Sequence, residues 1–229
     1  MIRSSIAGVG KSVLWCVNPL VFLSRKFMAS ASSAIIQDIF AIKSRGLASL
    51  AFFYHDFNEE NKRNLRGLLS SILVQLCHQS EPYCDILSKF YSDHASGLQH
   101  PNDDELITCL KDILKRTEQA PVFLIVDALD ECSDISDIPS PREKVLNLLE
   151  ELIELQVPNL HICVTSRPEA DINLVLRPLA SYSVSLHGER GQMQDINNYI
   201  NSVVKDIRKW KSEHRQLVID TLTTRADGM

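Results

Sequence analysis

Residues 121–132, PVFLIVDALDEC, constrain the fold more than any other stretch, because five large apolar residues in a row lead straight into a segment carrying three carboxylates. An amphipathic helix or a half-exposed strand would interrupt such a run with polar positions. An unbroken run that includes two valines and an isoleucine fits a strand buried on both faces, in the middle of a parallel sheet. Asp127 then stands at the carboxyl end of that strand. In open α/β sheets this end is where ligands bind, so Asp127, Asp130 and Glu131 are the first candidates for chemistry. The competing reading is a core strand followed by a solvated acidic turn.

A second stretch bears on that choice. Residues 7–12, Ala7-Gly8-Val9-Gly10-Lys11-Ser12, have the end of a phosphate-binding loop. Glycines let successive backbone N–H groups converge on phosphate oxygens, a lysine neutralises the outer phosphates, and a serine hydroxyl can hold Mg²⁺. Lys11 and Ser12 should open a helix. Alone, Gly-Lys-Ser is a weak signal. Paired with a later buried strand ending in aspartate it points to a nucleotide site, because the chemistry needs both a phosphate cradle and a distant carboxylate to complete the metal shell. The full pattern G-x-x-x-x-G-K-[ST] asks for glycine at position 5, where this chain carries Ser5, a residue with less freedom to adopt positive φ.

Composition removes several classes. With 229 residues and 45% hydrophobic content, the chain can bury a full core as one large or two small domains. A net charge of −5 with no basic stripe argues against a nucleic-acid binder. The six cysteines form no C-x-x-C pair and no metal-ligand spacing with the seven histidines, so they read as reduced core residues of a cytoplasmic protein. The apolar run 13–23 imitates a secretory signal, but Arg25 and Lys26 separate it from Ala29-Ser30-Ala31. It is also too short, and broken by Asn18-Pro19, to span a membrane.

Taken in order, residues 2–6 offer the stub of a first strand. From Lys11 a helix is expected, stopped near Asn18 by Pro19, whose ring clashes with the preceding turn. A helix over 32–43 carries Ile35, Ile36, Ile39 and Phe40 on one face, with Gly46 as its stop. Residues 47–54 read as a buried strand, and His55 after it as a packing or loop residue. Three helices follow between residues 58 and 116. Their apolar stripes are Leu65, Leu68, Leu69, Ile72, Leu73 and Leu76; then Tyr83, Ile86, Leu87, Phe90 and Tyr91; then Leu106, Cys109, Leu110, Ile113 and Leu114. The aromatics among them read as core. Ser140-Pro141-Arg142-Glu143 forms a capping box opening a helix that turns Val145, Leu148, Leu149 and Leu152 inward. Residues 160–164 are another buried strand with Thr165-Ser166-Arg167-Pro168 at its carboxyl end. That cluster can sense a γ-phosphate, or Arg167 simply pairs with a nearby acid. A short helix around 172–176 leads to a last strand, 181–186, and beyond Gly191 the pattern turns helical. Residues 1–190 are therefore expected to form one domain and 191–229 the start of a second, helical one.

Together GVGKS, DALDE at 127–131 and VTSRPE at 164–169 resemble the NACHT-type, STAND-class signalling NTPases, and the fungal nephrocystin-like group in particular. The resemblance covers almost the whole chain. It implies a P-loop NTPase three-layer α/β sandwich with a mainly parallel five-stranded sheet in the order 5-1-4-3-2, nucleotide-dependent switching, and self-association through the NTPase core. It also implies ATP, or GTP, together with Mg²⁺. Gly8, Val9, Gly10, Lys11, Ser12 and Val13 would cradle the nucleotide, Ser12 and Asp127 would hold the metal, Asp130 and Glu131 the attacking water, and Arg167 would be the sensor. No Asn-Lys-x-Asp guanine motif is present. In the family, residues like Val13-Leu14 are followed almost at once by a segment like 32–38, so residues 15–31 read as an insert in the phosphate-loop helix.

Two function classes remain. One is a switch module that binds and slowly hydrolyses a nucleoside triphosphate. The other is a non-catalytic interaction or scaffold fragment whose nucleotide site is degraded, motivated by Ser5, the stub of a first strand and the insert. A small-molecule kinase is disfavoured, because no arginine-rich lid segment follows the core.

Overall fold

The computed structural model of the chain describes residues 13–17, 31–116, 120–135, 138–185, 200–201, 203–204, 207 and 211–226. Two compact units divide it, residues 14–184 and residues 1–13 together with 185–229.

The larger unit is a mixed α/β fold. Its elements are β1 (Val13–Val17), α1 (Ala31–Lys43), β2 (Ser49–Tyr54), α2 (Leu65–Cys77), α3 (Glu81–Asp93), α4 (Asp103–Leu114), β3 (Val122–Asp127), α5 (Pro141–Glu154), β4 (Leu160–Ser166), α6 (Ala170–Leu179) and β5 (Tyr182–Ser185). The strands lie in the order β2-β3-β4-β1-β5. The acidic-ended strand β3 runs parallel to both neighbours, with Tyr54 beside Asp127 and Val126 beside Val164.

Val122, Leu124, Ile125 and Val126 are all buried, as the unbroken apolar run requires. One pleat face is covered by α1, whose Ile36 and Ile39 pack with Leu50 and Ile125. Ala51, Leu124, Val126, Ile162 and Val164, on the opposite pleat, are equally buried, so both faces of the central strands are shielded from water. The stripes expected on α2, α4 and α5 are buried throughout, and α2 packs on β2, α3, α4 and α5. Asn102 and Ser140 each close a capping box on α4 and α5, which satisfies otherwise orphaned N–H groups of the first turns. The aromatic stripe of α3 is core only at its start. Tyr83 is fully buried, Phe90 is half-buried and Tyr91 is exposed, because α3 packs on α2 and α4 and leaves its outer face to water.

One expectation is corrected. Residues 13–17 are a strand, not the first turns of a helix following Lys11. The segment VLWCV contains two β-branched residues and a tryptophan, which favour an extended backbone, and Pro19 leaves too little room for a helix of useful length. Three residues of the expected insert, 15–17, are thus part of the sheet. The first strand expected at residues 2–6, and residues 18–30 of the expected insert, lie outside the described residues, and the insert's last residue, Ala31, opens α1. β4 also runs further than expected, taking in Thr165 and Ser166.

All six cysteines are free; Cys109 and Cys132 are buried, and Cys84 is exposed. Cys16 Sγ lies 3.9 Å from Cys163 Sγ. In the smaller unit, Ile200 and Val204 are buried and a helix covers Ser212–Ala226, with Leu217 and Leu222 exposed. Among the described residues no helix is long and apolar enough to cross a membrane.

Candidate functional site at the strand ends

The parallel register determines what meets at the carboxyl ends of the strands. Because Val126 lies beside Val164, the next residues, Asp127 and Thr165, come level. The Thr165 hydroxyl donates to Asp127 Oδ1 and accepts from the Ala128 N–H at 3.1 Å, so one buried side chain orients both the carboxylate and the start of the loop. Ala128 adopts the left-handed conformation, φ 54°, ψ 47°. That turn sends the chain into a short 3-10 segment, Leu129–Glu131, anchored by the fully buried Leu129.

The three acids then part company. Asp130 turns toward β4, where its two oxygens accept from the Arg167 backbone N–H at 2.9 Å and face Arg167 Nε at 3.3 Å. Arg167 thus pairs with an acid, as the alternative to a sensing role anticipated. The pair is lopsided, since the Asp130 side chain is 10% exposed and that of Arg167 56% exposed. Glu131 turns toward β2 and accepts from the Phe57 N–H at 3.3 Å. Asp127 stays between them.

Sequence reasoning missed the residue that holds this loop. Arg142, in the first turn of α5, is buried, and its guanidinium donates to the carbonyl of Cys132 at 3.1 Å, to the carbonyl of Asp130 at 2.7 Å and to Asp171 Oδ2 of α6 at 3.2 Å. Asp134 lies 3.6 Å from the same group. A planar guanidinium can reach carbonyls and a carboxylate in several directions at once, which a lysine cannot. A signal was present, because a cation at a helix N-terminus opposes the macrodipole and so needs a specific acceptor to hold it there.

His55, expected as a packing or loop residue, is a packing residue. It is buried beside Phe53, whose ring centroid is 5.0 Å away, and its backbone N–H donates to the Asp127 carbonyl at 3.0 Å. Its Nδ1 lies 2.9 Å from the Lys62 carbonyl. A carbonyl can only accept, so Nδ1 carries the proton and Nε2 is a bare acceptor. That Nε2, like the buried Ser166 hydroxyl, has no hydrogen-bond partner. Burial pushes the imidazole down to about 4, against a smaller upward pull from its Lys62 hydrogen bond and from Asp130. At neutral pH His55 is therefore uncharged. Cys132, beneath the loop, is pushed up to about 11 by burial and stays a thiol.

Asp127, Asp130, Glu131 and Arg167 thus come together at one end of the sheet. Val13 is the first residue of β1, while Gly8, Val9, Gly10, Lys11 and Ser12 lie outside the described residues. The family model described as Nephrocystin 3, N-terminal, matches residues 28–167, more than half of the chain. The matched stretch takes in the acidic loop and Arg167 and begins after Lys11-Ser12. No curated protein and no solved structure matches the chain.

Proposed function

The chain belongs to the nephrocystin 3 N-terminal family, and from that premise we propose that it is a NACHT-type P-loop module that binds and slowly hydrolyses a nucleoside triphosphate, ATP by preference, as a switch. The observation that carries this reading is the divergence of the three acids at the carboxyl end of a buried parallel strand, the position where α/β sheets bind ligands. Read from β5, the strand order is 5-1-4-3-2, but its β1 is residues 13–17, after Ser12, and not the strand before the phosphate loop that the P-loop order places there. Asp127, half-buried and oriented by a hydroxyl, suits a magnesium ion that takes most of its ligands from water and phosphate oxygens. Lys11 and Ser12 would complete the site, and Mg²⁺ would supply charge neutralisation at the phosphates. Arg167 is 56% exposed although it pairs with Asp130, so a bound nucleotide's γ-phosphate would compete for it.

A specific observation favours the second reading, a non-catalytic fragment. A phosphate loop works by opening a helix, and here a strand begins directly after Ser12. Calorimetry with Mg-ATP on the full chain separates the two. The switch reading expects binding by the natural chain and its loss in Lys11→Ala; silence in both establishes the fragment, and equal affinity in both overturns the role given to Lys11. If binding is seen, Asp127→Asn should weaken it in a metal-dependent way. Glu131→Gln should keep it and slow hydrolysis by about 10²–10⁴-fold, the usual contribution of a group that activates water. The opposite pattern would reverse the two roles.

A further inference from the structure

β2 is an edge strand of the sheet, and its backbone is occupied in an unusual way. An edge strand exposes every second residue's N–H and C=O, a template on which another strand can pair. In β2 these are the groups of Leu50, Phe52 and Tyr54, and the first two residues are clamped by glutamines of α2. The Leu50 N–H donates to Gln79 Oε1 at 2.9 Å, and Gln79 Nε2 donates back to the Leu50 carbonyl at 2.6 Å. The Phe52 N–H donates to Gln75 Oε1 at 3.1 Å, and Gln75 Nε2 to the Phe52 carbonyl at 2.7 Å.

A side-chain amide has the same donor and acceptor as a peptide group, so each glutamine imitates one residue of a neighbouring strand. The spacing makes the imitation repeat. Two residues of strand rise about 6.6 Å, and four residues of helix rise about 6.0 Å. Glutamines at i and i+4 on a helix running against the strand therefore meet alternate strand residues in turn. Ser71, one helical step back, accepts from Gln75 Nε2 at 2.9 Å. The clamp is open to the outside, because Leu50, Phe52, Gln75 and Gln79 all line a surface cleft of about 550 Å³.

We propose that Gln75 and Gln79 are an edge guard, which occupies the four backbone groups of Leu50 and Phe52 at the middle of the edge by which β2 would otherwise pair antiparallel with the β2 of a second copy of this chain. The strand points to itself as the partner. Its sequence, SLAFFY, has no charge and no proline, the composition that pairs most readily with its own kind. Antiparallel pairing centred on Ala51 sets Leu50 opposite Phe52 of the second copy and Phe52 opposite its Leu50. The two residues now held by glutamine are thus mutually complementary under a two-fold axis.

The test is sedimentation of the full-length Gln75→Ala/Gln79→Ala variant over a wide range of concentration, with hydrogen exchange read at the Leu50 and Phe52 amides. The expected result is one added association step, doubling the sedimenting mass relative to the natural chain, with protection of both amides rising with concentration. A folded double variant that sediments like the natural chain overturns the proposal. So does protection of those amides that is independent of concentration, which would mean a segment of the same chain takes the edge. Should the double variant fail to fold, Gln79→Ala alone decides: Leu50 should lose protection at high dilution while Phe52 keeps it, and unchanged protection at Leu50 refutes the guard.

Discussion

Two regions of the same sheet satisfy their backbone polar groups by opposite means. At the edge of β2, two neutral amides meet two residues one to one, and all four groups find partners. At the carboxyl ends of β3 and β4, one buried arginine is shared among two carbonyls and two carboxylates, an alanine sits in the left-handed region, and two buried polar atoms have no partner. The first arrangement is locally complete and faces water. The second is ionic, strained and unfinished, and a ligand can complete it. Strain and unmet polar groups concentrate where a site must reorganise.

The sharpest way to break this contrast is at Arg142. In Arg142→Met the carbonyls of Asp130 and Cys132 lose their buried donors, so stability in urea unfolding should fall by about 3–5 kcal/mol, the cost of two unmet carbonyls and lost packing. The glutamine clamp lies beside an open cleft, where water can replace a lost amide, so Gln75→Ala should cost only about 1 kcal/mol. Equal costs at the two places would dissolve the distinction.

His55 gives the next largest effect. Above pH 6.5 the imidazole is neutral in both the folded and the unfolded chain. Between 6.5 and about 4 the unfolded chain takes up a proton that the buried side chain refuses. Stability contributed by the neutral form is therefore full above 6.5 and is lost as pH falls through that window, by on the order of 3 kcal/mol. In His55→Asn the donor to the Lys62 carbonyl is retained and the titration removed, so this component of the pH slope should vanish when unfolding free energy is followed across the window. An unchanged slope would assign it to other groups.

The smallest expected change is a gain. Ala128→Gly removes a Cβ from the left-handed region and should stabilise the fold by about 0.5–1 kcal/mol, after the greater unfolded-state freedom of glycine is counted. A loss on thermal unfolding would show that the turn is unstrained.

How much of this was legible beforehand varies with the range of the interaction. Asp127, Asp130 and Glu131 could be placed at a strand end because a strand's burial is written in consecutive residues. The same holds for the leucines of α2 and α5, and for Ser140 with Glu143, whose partners lie three or four positions away. Arg142 was visible only as a capping-box neighbour, since its acceptors come from the loop after β3 and from α6. His55 was expected as a packing or loop residue, but its unpartnered Nε2 was not, because only the folded chain closes over it and strips that atom of water. Residues 13–17 were misjudged because a short apolar run before a proline suits a helix or a strand alike until neighbouring strands supply a ladder.

Helix and strand identity over most of the chain was thus determined by the sequence itself, through side-chain periods that the local backbone converts into buried faces. The tertiary structure alone decided that two glutamines in α2 match the spacing of the edge strand, and that Asp130 answers to Arg167 while Glu131 answers to the loop after β2. These pairings join residues tens of positions apart, and a hydrogen bond or ion pair of that kind depends on ångström-scale placement that no local pattern encodes.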